Sequence, residues 1–480
     1  MEKMITFDNT YARLPDSFFK RIDPDPAPSP KLIKLNSRLA REIGLNAEWL
    51  ASDAGIAMLS GAAVADGSEP LAMAYAGHQF GGWSPQLGDG RAHLLGEIIG
   101  PDGLRHDVQL KGSGRTPFSR NGDGKAALGP VLREYIISEF MSAVGVPTTQ
   151  ALAAVSTGER VQRETGVPGA VLTRVAQSHV RVGTFQYFFA QQDIENLRIL
   201  TDYVINRHYP SAQETENPPL EMLKMMMERY AKLIAQWMCL GFIHGVMNTD
   251  NVQIAGETID YGPCAFIDNF HPNKVFSSID QNGRYAWINQ PNVGAWNISR
   301  FAEALLPIIS KDKDTAVNLA ESTVEKFSVI FNNALHLGIA SKLGIPVNTA
   351  FTHSTFKFMA DHECDFTLFF TELTRIAEGG RHDGFSSLFV TPDPALEWLS
   401  TWRILHDPTL LEGMKAVNPI YIPRNHRVEE VILSALAGDF TPFEMLMSLL
   451  EKPFEARDNA DEYENPPTGD QIVHQTFCGT

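Results

Sequence analysis

Hydrophobic and polar residues alternate with strand-like spacing in one early part of the chain. Within residues 77–112, AHLLGEII and LRHDVQLKG predict two strands, and GPDG between them predicts a tight turn. The preceding stretch, GHQFGGWSPQLGDGR, is rich in glycine and other turn formers. A glycine-rich loop, a strand, a turn and a strand that ends in Lys111 is the order of elements at the nucleotide site of a kinase N-lobe.

Helical spacing of apolar residues dominates the rest of the chain. VLREYIISEFMSAVGV predicts a helix that can aim the Glu134 carboxylate back at Lys111. Beyond about Thr173 the pattern is mostly helical, and PLEMLKMMMERYAKLIAQWMCLGF predicts an amphipathic helix that leads into His244. KLIKLNSRLAREIGL, near the N-terminus, also has helical spacing, and VQIAGETI resembles a short strand. We therefore predict the α+β class, with a β-rich region followed by a larger helical region.

These patterns divide the chain into four expected parts. Residues 1–70 contain proline-rich turns and form an N-terminal extension packed on the core. Residues 71–172 hold the glycine-rich loop, the lysine strand and the glutamate helix. Residues 173–330 hold the catalytic and metal-binding loops. Residues 331–480 alternate helical patterns with breaks and form a helical C-terminal extension with a cysteine-containing tail.

Composition and charge argue against nucleic acids and membranes as partners. The 480 residues are 44% hydrophobic and 20% charged, which is typical of a globular protein with a large core. The formal net charge of -17 argues against a general nucleic-acid binder, whose surface would be basic. The N-terminus carries Glu2 and Asp8 and lacks the apolar core of a secretory signal, and no uncharged run makes a good membrane span. We expect a cytoplasmic protein without nucleic-acid or membrane partners.

The stretch HGVMNTDNVQIAGETIDYG contains most of a kinase catalytic loop. In kinase-like phosphotransferases a His is followed by an Asp base, an Asn metal ligand and a D-F-G-type Asp. His244, Asn251 and Asp260 occur at the corresponding positions, but the position of the base is Val246, which cannot accept a proton. Asn251 and Asp260 carry oxygen ligands of the kind that Mg²⁺ and Mn²⁺ accept.

Asp250, directly before Asn251, is the carboxylate best placed to replace the missing base. It can accept the proton of an incoming hydroxyl group or only cap a turn, and spacing does not decide between these roles. Arg174 and Arg181 lie in a segment with little other charge. They can clamp a phosphate chain, or they can form ordinary surface ion pairs.

Four stretches carry a resemblance to a known family. They are YAGHQFGGWSPQLGDGRAHLLGE, QLKGSGRTPFSRNGDGKAALGPVLREYIISE, TRVAQSHVRVGTFQ and GVMNTDNVQIAGETIDYGPCAFID. In them the chain resembles the selenoprotein O family, which includes the bacterial YdiU-type proteins. The likeness extends from about residue 10 to the C-terminal CGT.

The resemblance implies a protein-kinase-like bilobal fold, with a small β-rich N-lobe, a larger helical C-lobe and extensions at both termini. Members of the family were classed as pseudokinases because the usual catalytic Asp is absent. They act as protein adenylyltransferases, which move AMP from ATP to Ser, Thr or Tyr hydroxyl groups of partner proteins. ATP lies in their pocket in the reverse orientation to that in a kinase, so Val246 at the usual position of the base is compatible with activity.

The resemblance also implies a role for each site residue. Lys111 and Glu134 form an ion pair needed for catalysis, and Asp250 is the proton acceptor. The metal ion, Mg²⁺ or Mn²⁺, is held by Asn251 and Asp260. The residues that bind ATP are Gly88, Gly90, Arg91, Lys111, Asp123, Gly124, Arg174 and Arg181. Taken alone, the glycines at 88 and 90 are more typical of a turn without function than of a nucleotide site.

The sequence leaves open whether any of the four cysteines forms a disulfide. Cys239, Cys264, Cys364 and Cys478 lack metal-ligand spacing. Cys478 lies near the end of the chain, where it is either inert or able to reach a partner cysteine. Many animal members of the family carry selenocysteine near the C-terminus, and some bacterial members pair a tail cysteine with one near the activation loop. This chain departs from that pattern, because it has no cysteine at the corresponding place after DYGPCAFIDNFHPNKVFSSID. Cys264 is the one candidate nearby, and a disulfide between Cys264 and Cys478 is therefore a hypothesis.

Two other functions remain open from sequence. A kinase-type phosphotransferase is one alternative, although small-molecule kinases that share the His-Gly opening keep an Asp where this chain has Val246. A catalytically inert nucleotide-binding scaffold is the other. Such a scaffold does not need the full set of Lys111, Glu134, Asn251 and Asp260.

Overall fold

The computed structural model describes residues 5–477, which form a mixed α+β structure with most strands before residue 177 and mostly helices after it. The strands are β1 Phe19–Arg21, β2 Lys31–Leu35, β3 Leu71–Met73, β4 Gly77–Gln79, β5 Gly82–Ser84, β6 Ala92–Ile99, β7 Arg105–Lys111, β8 Ala126–Ala127, β9 Gln150–Gln162, β10 Gly166–Ala176, β11 Phe242–Ile243 and β12 Ala265–Phe266. The helices are α1 Ser37–Glu42, α2 Ala47–Leu50, α3 Asp53–Ser60, α4 Leu128–Ala143, α5 Val182–Ala190, α6 Ile194–His208, α7 Pro218–Cys239, α8 Gln290–Ile309, α9 Lys313–Val324, α10 Phe327–Leu343, α11 Thr349–Asp361, α12 Phe366–Ala377, α13 Asp383–Ser387, α14 Pro392–Leu405, α15 Leu411–Val417, α16 Asn425–Leu436, α17 Thr441–Leu450 and α18 Asp461–Glu464.

An eight-stranded antiparallel sheet places Lys111 near its middle. The strand order is β1-β3-β6-β7-β10-β9-β2, and β8 pairs with β10. The two strands predicted from sequence are β6 and β7, and the predicted turn is closed by a hydrogen bond from Gly103 N to Gly100 O (2.9 Å). Lys111 pairs with Ala92 of β6 on one side and with Leu172 of β10 on the other. Its position is therefore set by two neighbouring strands.

Helix α4 packs its apolar side into the core beneath the sheet. Leu132, Ile136 and Phe140 recur at four-residue spacing, and all three are buried. The predicted helix is confirmed, and it carries Glu134 into the interior. A charged side chain is retained there because it has cationic partners, which are described below.

Helix α7 supports the loop that contains the kinase-like motif. The Asn217 side chain accepts a hydrogen bond from Leu220 N (3.3 Å) and caps the start of the helix. Near its end, Trp237 Nε1 donates to Thr258 Oγ1 (2.9 Å), and its ring lies 5.2 Å from that of His244. The predicted amphipathic helix is confirmed, and its C-terminal turn contacts both ends of the motif.

Two segments differ from the sequence prediction. KLIKLNSRLAREIGL begins as strand β2, because residues 31–35 complete the edge of the sheet beside β9. The side chain of Asn36 then accepts a hydrogen bond from Leu39 N (3.0 Å) and starts helix α1. VQIAGETI does not form a strand and makes only isolated bridges, Gln253 with Arg181 and Thr258 with Thr148. In the first case long-range pairing overrides local preference, and in the second the segment lacks, among the described residues, a neighbouring strand with which to form a ladder.

A buried ionic network joins the sheet to the first long helices. Arg207 of α6 contacts Asp107 Oδ1 (2.6 Å) on β7 and Glu97 Oε2 (3.2 Å) on β6. His179 N donates to Asp107 Oδ2 (2.7 Å) just after β10 ends. Because all four side chains are buried, these contacts tie helix α6 and the segment after β10 to the hairpin that ends in Lys111.

The C-terminal helices pack against the rest of the molecule through a buried arginine. Arg424 contacts Asp268 Oδ1 (2.7 Å) and Asp365 Oδ2 (2.8 Å). The end of the described chain returns to the same side, where Thr476 N donates to Phe276 O (2.8 Å). Among residues 5–477, no helix combines the length and apolar character required to cross a membrane.

Glu139 provides a test of how the N-terminal segment is attached. It accepts hydrogen bonds from Ala151 N (3.0 Å) and Arg38 (3.3 Å), and burial raises its pKa to about 7. A carboxyl group with a raised folded-state pKa contributes most stability in acid, and that contribution is lost as the pH rises through about 7. We expect Glu139→Gln to reduce the loss of folding free energy between pH 5 and pH 8 by on the order of 2 kcal/mol.

Scanning calorimetry across this pH range measures the effect. Glu42→Gln is the control, because Glu42 pairs with Arg38 at an exposed position. An unchanged pH slope in Glu139→Gln would contradict the assignment.

Candidate active site

The carboxylate of Asp260 binds three cationic side chains. Its Oδ1 lies 2.6 Å from Lys111 Nζ and 3.0 Å from an Arg174 nitrogen, and its Oδ2 lies 3.1 Å from an Arg181 nitrogen. The cations come from the end of β7, from β10 and from the residue that immediately precedes α5. The two arginines are almost fully buried, so they are not surface ion pairs.

Glu134 supplies a second carboxylate to the same cluster. Its Oε2 lies 2.5 Å from Lys111 Nζ, and its Oε1 lies 3.1 Å from Arg174. Lys111 and Arg174 therefore each bridge Glu134 and Asp260. The helix predicted from sequence brings Glu134 to Lys111, as its spacing indicated.

The electrostatics of the cluster favour a fully ionised Asp260. Burial by itself would raise the pKa of Asp260, but Lys111 and the two arginines hold it well below its usual range. The Asp260 side chain is 19% exposed, whereas the Arg174 and Arg181 side chains are each 3% exposed. Solvent therefore has access to the cluster on the side of Asp260. An anion that binds there contacts cationic side chains that are already oriented.

The backbone at Asp260 is held in an uncommon conformation. Its φ is +64°, a left-handed value that few residues other than glycine adopt. His244 Nε2 lies 2.9 Å from Ile259 O, and the buried Tyr261 hydroxyl bonds to Thr148. Burial lowers the pKa of His244, so the neutral ring donates to that carbonyl. His244 thus braces the chain before Asp260 and does not face the cluster.

Asp250 lies in the turn Thr249–Asn251, beside the cluster. Its backbone oxygen accepts a hydrogen bond from Arg181 (2.5 Å), and its Oδ2 accepts one from Gln79 Nε2 (3.3 Å). Its Oδ1 is buried and has no hydrogen-bond partner in the described part of the chain. Burial raises the pKa of Asp250 to about 6. A carboxylate oxygen that is kept without a partner is suited to accept a proton from a bound molecule.

Asn251 and Asp260 direct oxygen atoms toward one point. Asn251 Oδ1 and Asp260 Oδ2 lie 3.4 Å and 3.1 Å from the same Arg181 nitrogen. Asn251 Nδ2 donates to Val246 O (3.0 Å), which fixes the amide so that its oxygen faces Asp260. Two protein oxygens suit Mg²⁺, which usually keeps several waters and binds substrate phosphates. Within residues 5–477, no group of three His, Cys, Asp or Glu side chains forms a separate cation site.

The glycine-rich segment is closely covered by the chain that follows β7. A Cβ atom on Gly88 would lie 2.4 Å from the Phe118 ring, and one on Gly90 would lie 2.8 Å from Phe118 O. The chain crosses again at Gly124, where a Cβ would lie 2.0 Å from Gly114 O. All three positions therefore require glycine for packing, whatever they contribute to binding.

Arg91 and Asp123, the other two residues predicted to contact ATP, do not contact Asp260. Arg91 immediately precedes Ala92, the partner of Lys111 in the sheet. Asp123 does not join the Asp260 cluster; its carboxylate contacts Arg163 (2.8 Å) and accepts a hydrogen bond from Lys125 N (2.9 Å).

Sequence reasoning missed three residues that hold the arginines. Gln109 Oε1 accepts from Arg174 Nε (2.8 Å), and Gln109 Nε2 donates to Asp89 Oδ2 (3.1 Å). Asp89 also lies 3.7 Å from Arg181, whose guanidinium stacks 4.7 Å from the Tyr75 ring. The position of Gln109 could have been predicted from the sequence. Residues two apart in a strand face the same side, so Gln109 lies on the same face as Lys111.

The predicted disulfide involves a residue outside the described part of the chain. Cys478 lies beyond residue 477. Thr476 Oγ1 donates to Pro263 O (2.5 Å), so the last described residues lie beside buried Cys264. The pairing of Cys264 with Cys478 stays a prediction.

Removing the shared carboxylate should destabilise the fold. Asp260→Ala leaves three cations with one fewer negative partner, and we expect a loss of about 3 kcal/mol in the free energy of unfolding. Metal-free diphosphate should restore part of this loss, because its oxygens can replace the carboxylate. Calorimetry with and without diphosphate measures both effects.

The control is Asp361→Ala, which breaks the exposed Lys357–Asp361 pair and should change stability by less than about 0.5 kcal/mol. Equal stability of Asp260→Ala and the parent protein would contradict the central place of this carboxylate.

Comparison with known proteins is consistent with this arrangement. The family model described as "Protein adenylyltransferase SelO" matches residues 2–451. A protein of Bradyrhizobium sp. strain BTAi1 is 52% identical over 485 residues, covering 99% of both chains. One of Rhizobium etli is 52% identical over 486 residues, covering 99% of this chain and 97% of its own. One of Methylorubrum populi is 51% identical over 498 residues, covering 100% of both.

These three relatives carry the same name, protein nucleotidyltransferase YdiU. Both the family match and the relatives span nearly the whole chain, so the similarity covers the sheet, the Asp260 cluster and the helical region together. The chain belongs to the SelO family of protein adenylyltransferases.

Proposed function

We propose that this protein transfers AMP from ATP to Ser, Thr or Tyr hydroxyl groups of other proteins. The observation that carries the proposal is the Asp260 cluster with Asp250 beside it, in a chain whose usual base position is Val246. The acceptor oxygen bonds to the α-phosphorus, and the bond from that phosphorus to the bridging oxygen of the β-phosphate breaks. Diphosphate leaves, and the hydroxyl proton passes to Asp250.

We propose a kinase-like bilobal arrangement for this chemistry. Residues 71–172 are its N-lobe and residues 173–330 its C-lobe, with extensions at 1–70 and 331–480. The change from strands to helices after Ala176 supports two lobes, although strand β10 extends past residue 172 and strands β1 and β2 of residues 1–70 belong to the same sheet. Lys111 and Glu134 then belong to the N-lobe, and Asp250, Asn251 and Asp260 to the C-lobe.

The nucleotide is proposed to bind with its phosphate chain reversed relative to a kinase. Arg174 and Arg181 are the most deeply buried cations of the cluster, and they suit the β- and γ-phosphates. The α-phosphate then lies on the side of Asp250, nearer solvent. The remaining proposed ATP contacts are Lys111, Gly88, Gly90, Arg91, Asp123 and Gly124.

Asn251 and Asp260 are the proposed ligands of Mg²⁺ or Mn²⁺. Their oxygens lie 3.4 Å and 3.1 Å from the same Arg181 nitrogen, so a cation held by them would lie beside this guanidinium. The metal ion would supply neutralisation of the phosphate oxygens. Glu134 would keep Lys111 oriented, because it contacts the ammonium group independently of Asp260.

Asp250 is the proposed proton acceptor. Its unpartnered Oδ1 can receive the acceptor proton, while Gln79 holds Oδ2 in place. Val246 contributes its backbone carbonyl, which orients Asn251, and not a side-chain base.

The two alternatives predict different outcomes. A kinase would move the γ-phosphate, and it would need another base in place of Val246. A scaffold would bind ATP without transferring any part of it. The buried pairing of Lys111, Glu134, Arg174 and Asp260 favours catalysis over a scaffold, because it orients cations for phosphate oxygens around an accessible carboxylate. Val246 at the usual position of the base argues against a kinase.

Separate labelling of the α- and γ-phosphates of ATP tests the reaction. With Mg²⁺ or Mn²⁺ and a cell extract, we expect protein to retain label from the α-phosphate and none from the γ-phosphate. Asp260→Ala should abolish the transfer, at a temperature well below its own unfolding transition. Label from γ alone would establish a kinase, and binding of ATP without any transfer would favour the scaffold.

The Asp250→Asn variant tests whether Asp250 accepts the proton, independently of its effect on ATP binding. We expect transfer to fall at least about 100-fold because the amide cannot accept the proton, while ATP affinity measured by calorimetry changes little. Retained transfer in this variant would exclude Asp250 as the proton acceptor.

Thiol titration before and after mild oxidation tests the proposed pairing of Cys264 with Cys478. The sequence contains four cysteines, so a single disulfide leaves two titratable thiols in the unfolded, oxidised protein. Cys478→Ser should leave three thiols both before and after oxidation. Four thiols in the oxidised parent protein would remove the hypothesis.

A further inference from the structure

A short β-hairpin, β4–β5 at residues 77–84, lies directly against the loop that contains Asp250. His78 N donates to Thr249 Oγ1 (2.8 Å), and Gln79 Nε2 donates to Asp250 Oδ2 (3.3 Å). A Cβ atom on Gly77 would lie only 2.6 Å from Asp250 Oδ1, the unpartnered oxygen. The hairpin therefore borders the point where an acceptor hydroxyl group must arrive.

The turn of the hairpin contains a residue that local energetics disfavour. Phe80 and Gly81 join the two strands, and their φ values are +51° and +83°. Two positive values are typical of a type I′ turn, in which Asn-Gly is the preferred pair. A bulky residue with positive φ is strained, and such strain persists where surrounding contacts enforce it.

Contacts with the catalytic loop offset the strain at Phe80. Phe80 N donates to Asn248 Oδ1 (2.8 Å), and its ring packs 5.3 Å from that of Tyr285. The Tyr285 hydroxyl donates to the same Asn248 oxygen (2.7 Å). The aromatic residue thus anchors the hairpin to the loop before Asp250.

The hairpin carries an exposed tryptophan, and a cation lies beside its turn. Trp83 is 43% exposed, and its ring packs on that of His78 (4.8 Å). The guanidinium of Arg284 stacks 4.8 Å from the Trp296 ring and lies 3.6 Å from the position of a Cβ on Gly81. The Arg284 side chain also hydrogen-bonds with Tyr285, and its Nε has no hydrogen-bond partner among residues 5–477.

We propose that residues 77–84, together with Arg284 and Trp296, form the surface that binds the acceptor protein, here called the acceptor platform. Its ligand is a protein segment in which the hydroxyl residue is flanked by an aromatic or large apolar side chain and by an acidic one. The apolar side chain packs on Trp83, the acidic one pairs with Arg284, and the hydroxyl group reaches Asp250 Oδ1. This inference rests on the proposed AMP transfer to proteins.

Charge and surface chemistry favour this class of ligand. The formal net charge of -17 repels acidic segments from the molecule in general, so an acidic side chain binds only beside a local cation. Arg284, whose Nε has no hydrogen-bond partner among residues 5–477, is such a cation and can give an acidic side chain a charge-assisted hydrogen bond. Exposed tryptophan is also among the residues that contribute most to binding at protein interfaces.

Two peptides of equal length test the proposal. Each carries one central Tyr; the first has Phe and Asp as flanking residues, and the second has Ala and Lys. Binding is measured by fluorescence anisotropy, and transfer is measured with ATP labelled at the α-phosphate. We expect the protein to prefer the first peptide by about tenfold or more in both assays.

Single variants assign this preference to the platform. Trp83→Ala should raise the KM for the first peptide about tenfold, with kcat and ATP affinity nearly unchanged. Arg284→Gln should remove the preference for Asp over Lys when only that flanking residue is varied. Val390→Ala, which deletes an exposed apolar side chain in the C-terminal region, is the matched control and should change nothing.

The Phe80→Asn variant tests whether the Phe80 ring contributes to peptide binding without contributing to the stability of the fold. Asn-Gly suits the turn better than Phe-Gly, so the variant should be at least as thermally stable as the parent protein. It loses the ring that packs on Tyr285, and peptide binding should weaken several-fold while ATP affinity stays the same. If peptide binding weakens and the unfolding temperature also falls, Phe80→Asn has disturbed the fold. In that case the peptide binding and KM of Trp83→Ala determine whether the platform binds the peptide.

The outcomes distinguish the platform from the reaction. Unchanged peptide binding and KM in both Trp83→Ala and Arg284→Gln would overturn the platform and leave AMP transfer standing. Peptide binding that depends on Trp83 without any transfer of α-label would retain the platform and reject the proposed reaction.

Discussion

The ionic contacts of Asp260 are the constraint on which the rest of the site depends. Lys111, Arg174 and Arg181 reach this carboxylate from different elements, and two of them are almost fully buried. Charges in such positions are tolerated only with paired partners in good geometry. The strand register that sets Lys111 beside Leu172, and the helix that presents Glu134, therefore have to be correct together. A local error in either would leave a buried charge without its partner.

The same constraint prepares the protein for a polyphosphate substrate. Arginines already fixed by Asp89, Gln109 and Glu134 need little reorganisation when phosphate oxygens arrive. The neighbouring network, in which Arg207 joins Asp107 and Glu97, holds the hairpin against helix α6. Two connected sets of buried ion pairs thus support the strand that carries Lys111, because Asp107 and Lys111 lie on the same strand.

Several residues of the kinase-like motif serve as supports. His244 holds the carbonyl of Ile259, and the carbonyl of Val246 orients the Asn251 amide. The carboxylate of Asp250 has one oxygen without a hydrogen-bond partner among the described residues, and this oxygen borders the hairpin at residues 77–84. The turn Thr249–Asn251 is contacted by Arg181 of the ionic cluster and by Gln79 of the hairpin, so in the proposed reaction nucleotide and acceptor meet there.

The sequence by itself determined the local elements and the residue types of the site. Alternating and helical apolar spacing was sufficient for β6, β7, α4 and α7, because burial of one face dictates that spacing. Only the tertiary structure decided that residues 31–35 form a strand, since pairing with β9 outweighs their helical spacing. It also decided that Asp89, Gln109 and Tyr75 hold the arginines and that Asp123 turns to Arg163. These contacts join positions far apart in the chain, and local spacing carries no information about which distant charges share a buried site.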